Sequence, residues 1–236
     1  RKRWCFSDMI QDIWPKHLDN QYKNLKPGNE DTVFYFQGSS LLARPSGHFN
    51  SQNPEENVLI YPQYDEFVEG IKSSYGDKAV DNFEFIYLLS IDEEHFFLAR
   101  KTGSLERGTF LGEMADSAVH KDMYSFVRGY EFIGVDSFRK AQPREHAYAA
   151  ITAFHLYGWY RDNHFCGRCG KPLKHDDKQR MLRCYCCKNM VFPKICPAVI
   201  VAVTDKDRIL LTKYAGRTYR NYALIAGFTE IGETTE

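Results

Sequence analysis

Aromatic and branched residues cluster in the first half of the chain in a pattern that predicts a β-hairpin. Residues 83–89 and 95–100 are two such runs, and the polar residues 92–94 lie between them. Runs of this kind on either side of a polar turn are typical of paired antiparallel strands. We therefore expect residues 1–142 to form a β-rich domain.

The next periodic segment, residues 145–160, has the pattern of a helix. Its apolar positions recur at spacings of three and four residues and are Ala147, Ala150, Ile151, Phe154 and Tyr157. Pro143 lies just before them, where proline favours a helix start. The pattern predicts a linking helix over residues 143–160 that packs through one apolar face.

The C-terminal part of the chain predicts further strands. Residues 197–203 and 208–212 are apolar runs on either side of Asp205-Lys206-Asp207, the pattern of a second hairpin. Because the first run is almost continuously apolar, we expect it to be buried on both faces. Residues 222–226 predict one more short strand, which leads into Gly227.

Length and composition are those of an ordinary globular protein. The chain has 236 residues, 43% of them hydrophobic and 26% charged, which excludes the disordered, collagen-like and coiled-coil classes. No stretch approaches the roughly 18 apolar residues that a membrane span needs, and residues 1–8 turn polar before a signal-peptide core forms. We expect a cytoplasmic protein without a membrane partner.

Five of the seven cysteines lie close together and predict a metal site. Cys166-x2-Cys169 and Cys184-x2-Cys187 have the spacing of a four-cysteine zinc site. An odd number of cysteines without a secretion signal argues against disulfides, and two matched pairs argue against a redox motif. Cys186 could replace Cys184 or Cys187 as a ligand, but only the 184/187 choice keeps the two-residue gap. Since four thiolates leave no open coordination position, the predicted Zn²⁺ is structural.

Positive charge is concentrated around these cysteines. Residues 161–195 carry nine Lys or Arg against three Asp, whereas the whole chain has a net charge of zero. This excess suits an anionic ligand such as a phosphate chain or nucleic acid, and a solvated module kept soluble by its lysines explains it equally well. We interpret His164 and His175 as solvated surface residues and Cys186 as an exposed spare thiol.

The order of the motifs resembles that of a known family. After the helix come Cys166-Gly-Arg-Cys169-Gly170, Cys184-x2-Cys187, Phe192-Pro193-x3-Pro197-Ala-Val-Ile-Val and Leu224-Ile-Ala-Gly-Phe-Thr-Glu-Ile-Gly-Glu233. From about residue 145 onward this resembles the zinc-containing NADH pyrophosphatases of the Nudix superfamily. The resemblance implies an α+β protein built from four parts: an N-terminal rudimentary Nudix-like domain (1–142), the linking helix (143–160), a zinc ribbon (161–195) and the incomplete beginning of an α/β/α Nudix domain (196–236).

The resemblance implies a hydrolase that acts on the pyrophosphate of NADH or NAD⁺, producing nicotinamide mononucleotide and AMP, and that also removes NAD caps from RNA. The resemblance also implies a homodimer that uses Mg²⁺ or Mn²⁺ held by glutamates. Gly227 to Glu233 match the opening of the family's defining motif, and its catalytic glutamates are expected beyond Glu236. On this interpretation the chain is truncated within the motif and inactive by itself.

The resemblance also assigns individual contacts. Ala226 matches a backbone carbonyl that contacts the divalent metal, and Phe192 and Phe228 match two aromatic positions that stack on the nicotinamide ring. Arg139 and Gln179 match substrate contacts, although the family commonly has Glu at the position of Gln179. The competing hypothesis is a non-enzymatic zinc-ribbon module that binds RNA or a protein partner, which the basic segment 161–195 would suit.

Overall fold

A computed structural model describes most of the chain. The described residues are 9–47, 58–102, 126–216 and 220–234. They form two compact units, residues 1–192 and 193–236, which we describe separately. The polar opening at residues 1–8 lies outside the described residues.

Among the described residues of the first unit, strands dominate, together with two α-helices. Its strands up to the long helix are β1 (Leu18–Asp19), β2 (Thr32–Phe34), β3 (Phe36–Gln37), β4 (Ser40–Pro45), β5 (Leu59–Ile60), β6 (Phe83–Ile91), β7 (Glu94–Lys101) and β8 (Glu131–Gly134). Its helices are α1 (Tyr64–Tyr75), α2 (Arg144–Asp162) and the 3-10 helices Asp77–Asn82 and Val135–Lys140. The chain is therefore an α+β protein, as predicted.

The predicted hairpin of the first unit is confirmed. Strands β6 and β7 pair in antiparallel register from Phe83 opposite Lys101 to Ile91 opposite Glu94, and Asp92 and Glu93 form the turn. They lie at the centre of a sheet with strand order β1-β6-β7-β2, in which β2 runs parallel to β7. A second sheet contains β3, β4 and β5, with β8 also paired to β4.

The central sheet is buried on both faces. Side chains alternate between faces along a strand, so Phe96 and Leu98 join the core that packs against α2, whereas Phe97 joins the core that packs against α1. On α1, Phe67 and Ile71 are fully buried, four residues apart on one side of the helix. This layered arrangement is why most of strands β6 and β7 is apolar.

Helix α2 extends slightly beyond the predicted range and buries a wider face than predicted. It begins directly after Pro143, as expected, and Ala147 and Ala150 are buried. Phe154 and Tyr157 are only partly buried. The other buried residues of the helix are Ala149, Ala153, Leu156, Trp159 and Tyr160. The single apolar face that the sequence predicted was incomplete, because residues of the cysteine-rich segment, Leu182 among them, also pack against this core.

The cysteine-rich segment forms a small antiparallel sheet within the first unit. Its strands are β9 (Lys174–His175), β10 (Leu182–Arg183) and β11 (Met190–Val191), and β10 lies in the middle. Short strands of this kind bury little apolar surface, so this segment depends on other interactions for its stability.

The described part of the second unit contains two two-stranded ribbons. Its strands are β12 (Ala198–Val201), β13 (Thr204–Asp205), β14 (Arg208–Ile209) and β15 (Ile225–Phe228). The predicted hairpin is reduced to β13 and β14, while β12 pairs with β15. The strand predicted at 222–226 begins at Ile225 and includes Gly227 and Phe228.

The predicted burial of residues 197–203 on both faces is wrong. Ile200 is 70% exposed and Val201 is 48% exposed. Within the described residues of the second unit, a two-stranded sheet has no further layer of structure to cover it. No helix of the described ranges is both long and apolar enough to cross a membrane.

Candidate metal centre and ligand-binding residues

Four cysteine sulfurs converge at one point of the ribbon. The Sγ atoms of Cys166, Cys169, Cys184 and Cys187 all lie within 4.8 Å of one another. Cys166 Sγ is 3.5 Å from Cys187 Sγ, and Cys169 Sγ is 3.4 Å from Cys184 Sγ. A tetrahedral Zn²⁺ with Zn–S bonds of about 2.3 Å separates its sulfurs by about 3.8 Å. The cluster therefore fits a four-coordinate metal such as zinc.

The two Cys-x-x-Cys turns have the same backbone geometry. In the first, the N–H of Gly170 donates to the carbonyl oxygen of Cys166 at 2.8 Å, and in the second the N–H of Lys188 donates to that of Cys184 at 2.9 Å. Gly170 has φ +69° and Lys188 has φ +63°. Glycine adopts this left-handed conformation freely, which suits Gly170 to its place in the turn.

The electrostatics of the cluster call for a cation. Burial raises the pKa of Cys166, but hydrogen bonds from the N–H groups of Arg168 and Cys169 outweigh it and lower the pKa to about 6. At Cys169 the N–H of Lys171 favours the thiolate, yet the neighbouring sulfur of Cys184 raises the pKa to about 12. Like charges this close disfavour one another. A divalent cation between the sulfurs would allow all four to ionise.

Of the three interpretations of residues around the cluster, the one for Cys186 is confirmed and the two for the histidines are wrong. Cys186 is exposed and lies outside the group of four, as expected for a spare thiol. His175 is not a solvated surface residue, because its ring packs between Tyr22 at 5.0 Å and Tyr160 at 5.6 Å. Its burial lowers its pKa, and burial also lowers that of the half-buried His164. Neither histidine is therefore a solvated surface residue.

The predicted substrate contacts lie in both units. Phe192 ends the first unit and is 51% exposed, whereas Phe228 lies on β15 of the second unit and is 77% exposed. Gln179 is exposed in the turn between β9 and β10, where its N–H donates to Asp176 Oδ1 at 3.1 Å. Arg139 belongs to the 3-10 helix Val135–Lys140, and its side chain lies outside the described part. The roles of these residues stay predictions.

The residues of the family motif form a strand and a closed loop. Ala226 and Gly227 lie on β15 and pair with β12. In the loop that follows, Glu233 Oε2 accepts a hydrogen bond from the N–H of Glu230 at 2.7 Å, and the N–H of Glu233 donates to the carbonyl oxygen of Glu230 at 3.1 Å. In the described part of the chain, only the four cysteines form a group of three or more metal-ligating side chains.

Comparison with known proteins finds relatives over part of the chain. An 81-residue segment is 36% identical to the NAD-capped RNA hydrolases NudC of Salmonella typhi, Salmonella heidelberg and Salmonella paratyphi B. The chain is a homologue of these proteins over that segment. The match covers 34% of this chain and 32% of each relative, so the chain spans about a third of the length of the curated relatives it matches. No protein-family model matches the chain.

This homology confirms the resemblance to the zinc-containing NADH pyrophosphatases of the Nudix superfamily that the motifs indicated. It extends over a limited segment.

Sequence reasoning missed one residue of the ribbon, Arg180. It follows Gln179 in the ribbon turn, and its guanidinium donates hydrogen bonds to the carbonyl oxygens of Leu88 and, at 3.4 Å, of Asn20. The guanidinium also lies 6.0 Å from the ring centre of Tyr22. In the sequence Arg180 is one of nine basic residues in a segment of high charge, so nothing local distinguished it from a solvated side chain.

Proposed function

We propose that the protein hydrolyses the pyrophosphate bond of NADH or NAD⁺ to nicotinamide mononucleotide and AMP, and that it also acts on NAD-capped RNA. The similarity to NAD-capped RNA hydrolases over 81 residues carries this proposal. The paired Cys-x-x-Cys turns support it, because the sequence resemblance rests on them. We propose the cytoplasm as its location and a homodimer as its assembly.

In this proposal the four cysteines hold a structural Zn²⁺. All four tetrahedral positions would be filled by sulfur, so no water could be activated on the metal. The zinc would instead fix the turn that carries Gln179 and the segment that leads to Phe192. We propose that the chain consists of an N-terminal Nudix-like domain (1–142), a linking helix (143–160), a zinc ribbon (161–195) and the start of a Nudix domain (196–236).

We propose that Phe192 and Phe228 stack on the nicotinamide ring. Their exposed rings support this, since a flat aromatic side chain that water reaches can accept a heteroaromatic ring without rearrangement of the core. Gln179 and Arg139 would contact other parts of the dinucleotide. The side-chain amide of Gln179 can donate and accept hydrogen bonds, whereas the Glu common in the family only accepts.

The catalytic Mg²⁺ or Mn²⁺ of the proposal needs more ligands than the described residues offer. Such ions prefer several oxygen ligands, carboxylates above all. Near Ala226 the described residues offer its backbone carbonyl and the loop carboxylates Glu230 and Glu233, and Glu233 already closes its own loop. We therefore propose that residues 1–236 alone hydrolyse NADH slowly.

Binding of NADH to variants of the exposed aromatic residues tests the proposal. Replacing Phe228 with alanine removes a ring that is 77% exposed and so carries little folding energy. Loss of one stacking face worth about 1–3 kcal/mol should weaken NADH binding about 5- to 150-fold, measured by titration calorimetry. Ile231→Ala, at a fully exposed apolar position of the same unit, is the matched control.

The outcomes separate the enzyme from the adaptor. Equal NADH affinity in the Phe228 and Ile231 variants would contradict the stacking role. An adaptor predicts RNA binding without NADH binding by the unsubstituted chain. The named relatives are hydrolases, which favours the enzyme.

A further inference from the structure

Arg180 connects the ribbon to the central sheet of the first unit. Its Nη2 donates to the carbonyl oxygen of Leu88, within β6, and to that of Asn20, just after β1. The two acceptors belong to different segments of the chain, and the planar guanidinium reaches both of them. Because each donor has a defined direction, this contact defines where the ribbon turn lies on the sheet.

The turn that carries Arg180 is itself closed by hydrogen bonds. The carboxylate of Asp176 accepts the N–H groups of Lys178 at 2.9 Å and Gln179 at 3.1 Å, and it also accepts Arg183 Nε at 3.2 Å. The N–H of Met181 donates to the carbonyl oxygen of Gln179 at 2.8 Å. A displacement of Arg180 would therefore also displace Gln179.

The environment of Arg180 is a costly one for a cation. Burial lowers its pKa, and among the described residues it makes no ion pair with a carboxylate. Two carbonyl oxygens and the nearby tyrosines Tyr160, Tyr87 and Tyr22 offset part of this cost. A guanidinium half-removed from water and paired only with carbonyls gives less stability than a packed apolar side chain. Its directional donors are what an apolar side chain could not supply.

We propose that Arg180 is a positioning residue. It holds the turn at residues 176–181 on the N-terminal sheet and thereby sets the place of Gln179, so that the N-terminal domain takes part in binding the dinucleotide. The part that concerns binding rests on the proposed function. Arg180 itself does not touch the ligand.

The test compares two variants of the same turn. Arg180→Met keeps much of the length and apolar stem of the side chain but removes its donors. Lys178→Met also removes one positive charge, yet it does so at an exposed position, so it controls for weaker attraction of a phosphate chain. Arg180→Lys keeps the charge and loses the two-acceptor geometry. Zinc content, exchange of the amide hydrogens at residues 178–181 and NADH affinity are measured for each.

We expect Arg180→Met to retain zinc, to exchange the amide hydrogens of Gln179 and Met181 at least about 10-fold faster, and to bind NADH about 10-fold more weakly than Lys178→Met. Arg180→Lys should lie between Arg180→Met and the unsubstituted chain. If Arg180→Met loses its zinc, the comparison rests on Arg180→Lys, which must then show the same two changes in smaller measure.

Unchanged amide exchange in these variants would overturn the proposal. Faster exchange together with the NADH affinity of Lys178→Met would overturn its part in binding. If the unsubstituted chain binds no NADH while Arg180→Met still exchanges faster, the positioning of the turn is supported and the proposed function is what fails.

Discussion

Replacing Cys184 with serine tests the metal centre at its most buried ligand. The Cys184 side chain is inaccessible to solvent, and its Sγ lies 3.4 Å from that of Cys169. Serine offers a hydroxyl in place of a thiolate, which is a poorer ligand for zinc. The change therefore removes one of four metal–sulfur bonds and leaves a polar group in a buried position.

The size of the effect follows from the closed geometry of the site. Structural zinc binding is worth about 10–16 kcal/mol, which divides into about 3 kcal/mol for each of four equivalent thiolates. A loss of that size corresponds to zinc binding weaker by about 100-fold or more. The ribbon strands have two residues each, so weaker metal binding should also lower the temperature at which residues 161–195 unfold.

The assay measures zinc per chain by atomic emission after purification under reducing conditions and during titration with a chelator. Amide exchange in residues 161–195 reports the folding of the ribbon. Cys186→Ser is the matched control, because Cys186 is exposed, lies two residues away and is outside the cluster. We expect it to hold one zinc and to behave as the unsubstituted chain.

Two results would refute this reasoning. Loss of zinc in Cys186→Ser but not in Cys184→Ser would show that the ligand set differs from the one that the spacing and the geometry indicate. Well under one zinc per chain in the freshly prepared, reduced, unsubstituted protein would contradict the site itself.

Two further predictions concern the stability of the first unit. Gly158→Ala in α2 should raise the free energy of unfolding, measured by urea titration, by about 0.5–1 kcal/mol, because nothing lies within 4 Å of the added Cβ and alanine favours a helix. Gly70→Ala in α1 should lower the free energy of unfolding in the same titration, since its added Cβ would lie 2.8 Å from a backbone oxygen. Burial raises the pKa of Glu94, but hydrogen bonds from His146 and Thr32 outweigh it and lower the pKa below its ordinary 4.5. The stability that Glu94 contributes is therefore present above about pH 4.5 and lost as the pH falls through its lowered pKa; Glu94→Gln should flatten this acid loss in melts at pH 3–6, and an unchanged profile would contradict it.

The sequence alone was sufficient where the signal is local. The cysteine spacing identified Cys184 and Cys187 rather than Cys186 because two intervening residues let both thiolates of a pair face one metal. The hairpin of β6 and β7 was evident because apolar runs and a polar turn are read over a few neighbouring residues. The start of α2 after Pro143 has the same basis.

Contacts between distant segments were decided by the tertiary structure. Helix α1 escaped the sequence analysis because only Phe67 and Ile71 of its residues are buried, and the sheet beneath them selects these two. The sequence suggested that Arg180 is solvated, whereas in the fold it contacts Leu88. It also suggested that His175 is exposed, whereas in the fold its ring packs between two tyrosine rings. In each case the side chain's environment is set by residues far along the chain.

For the apolar run at 197–203, the sequence predicted burial and the tertiary structure leaves most of the residues exposed. Its composition predicted a strand, and β12 forms one. Burial, however, requires neighbouring layers, and among the described residues of the second unit β12 has only β15 beside it. Strand propensity belongs to the residues themselves, whereas exposure depends on what the rest of the fold places against them. The sequence by itself therefore determined the metal-ligand spacing and the strand and helix patterns, and the tertiary structure decided which side chains are covered.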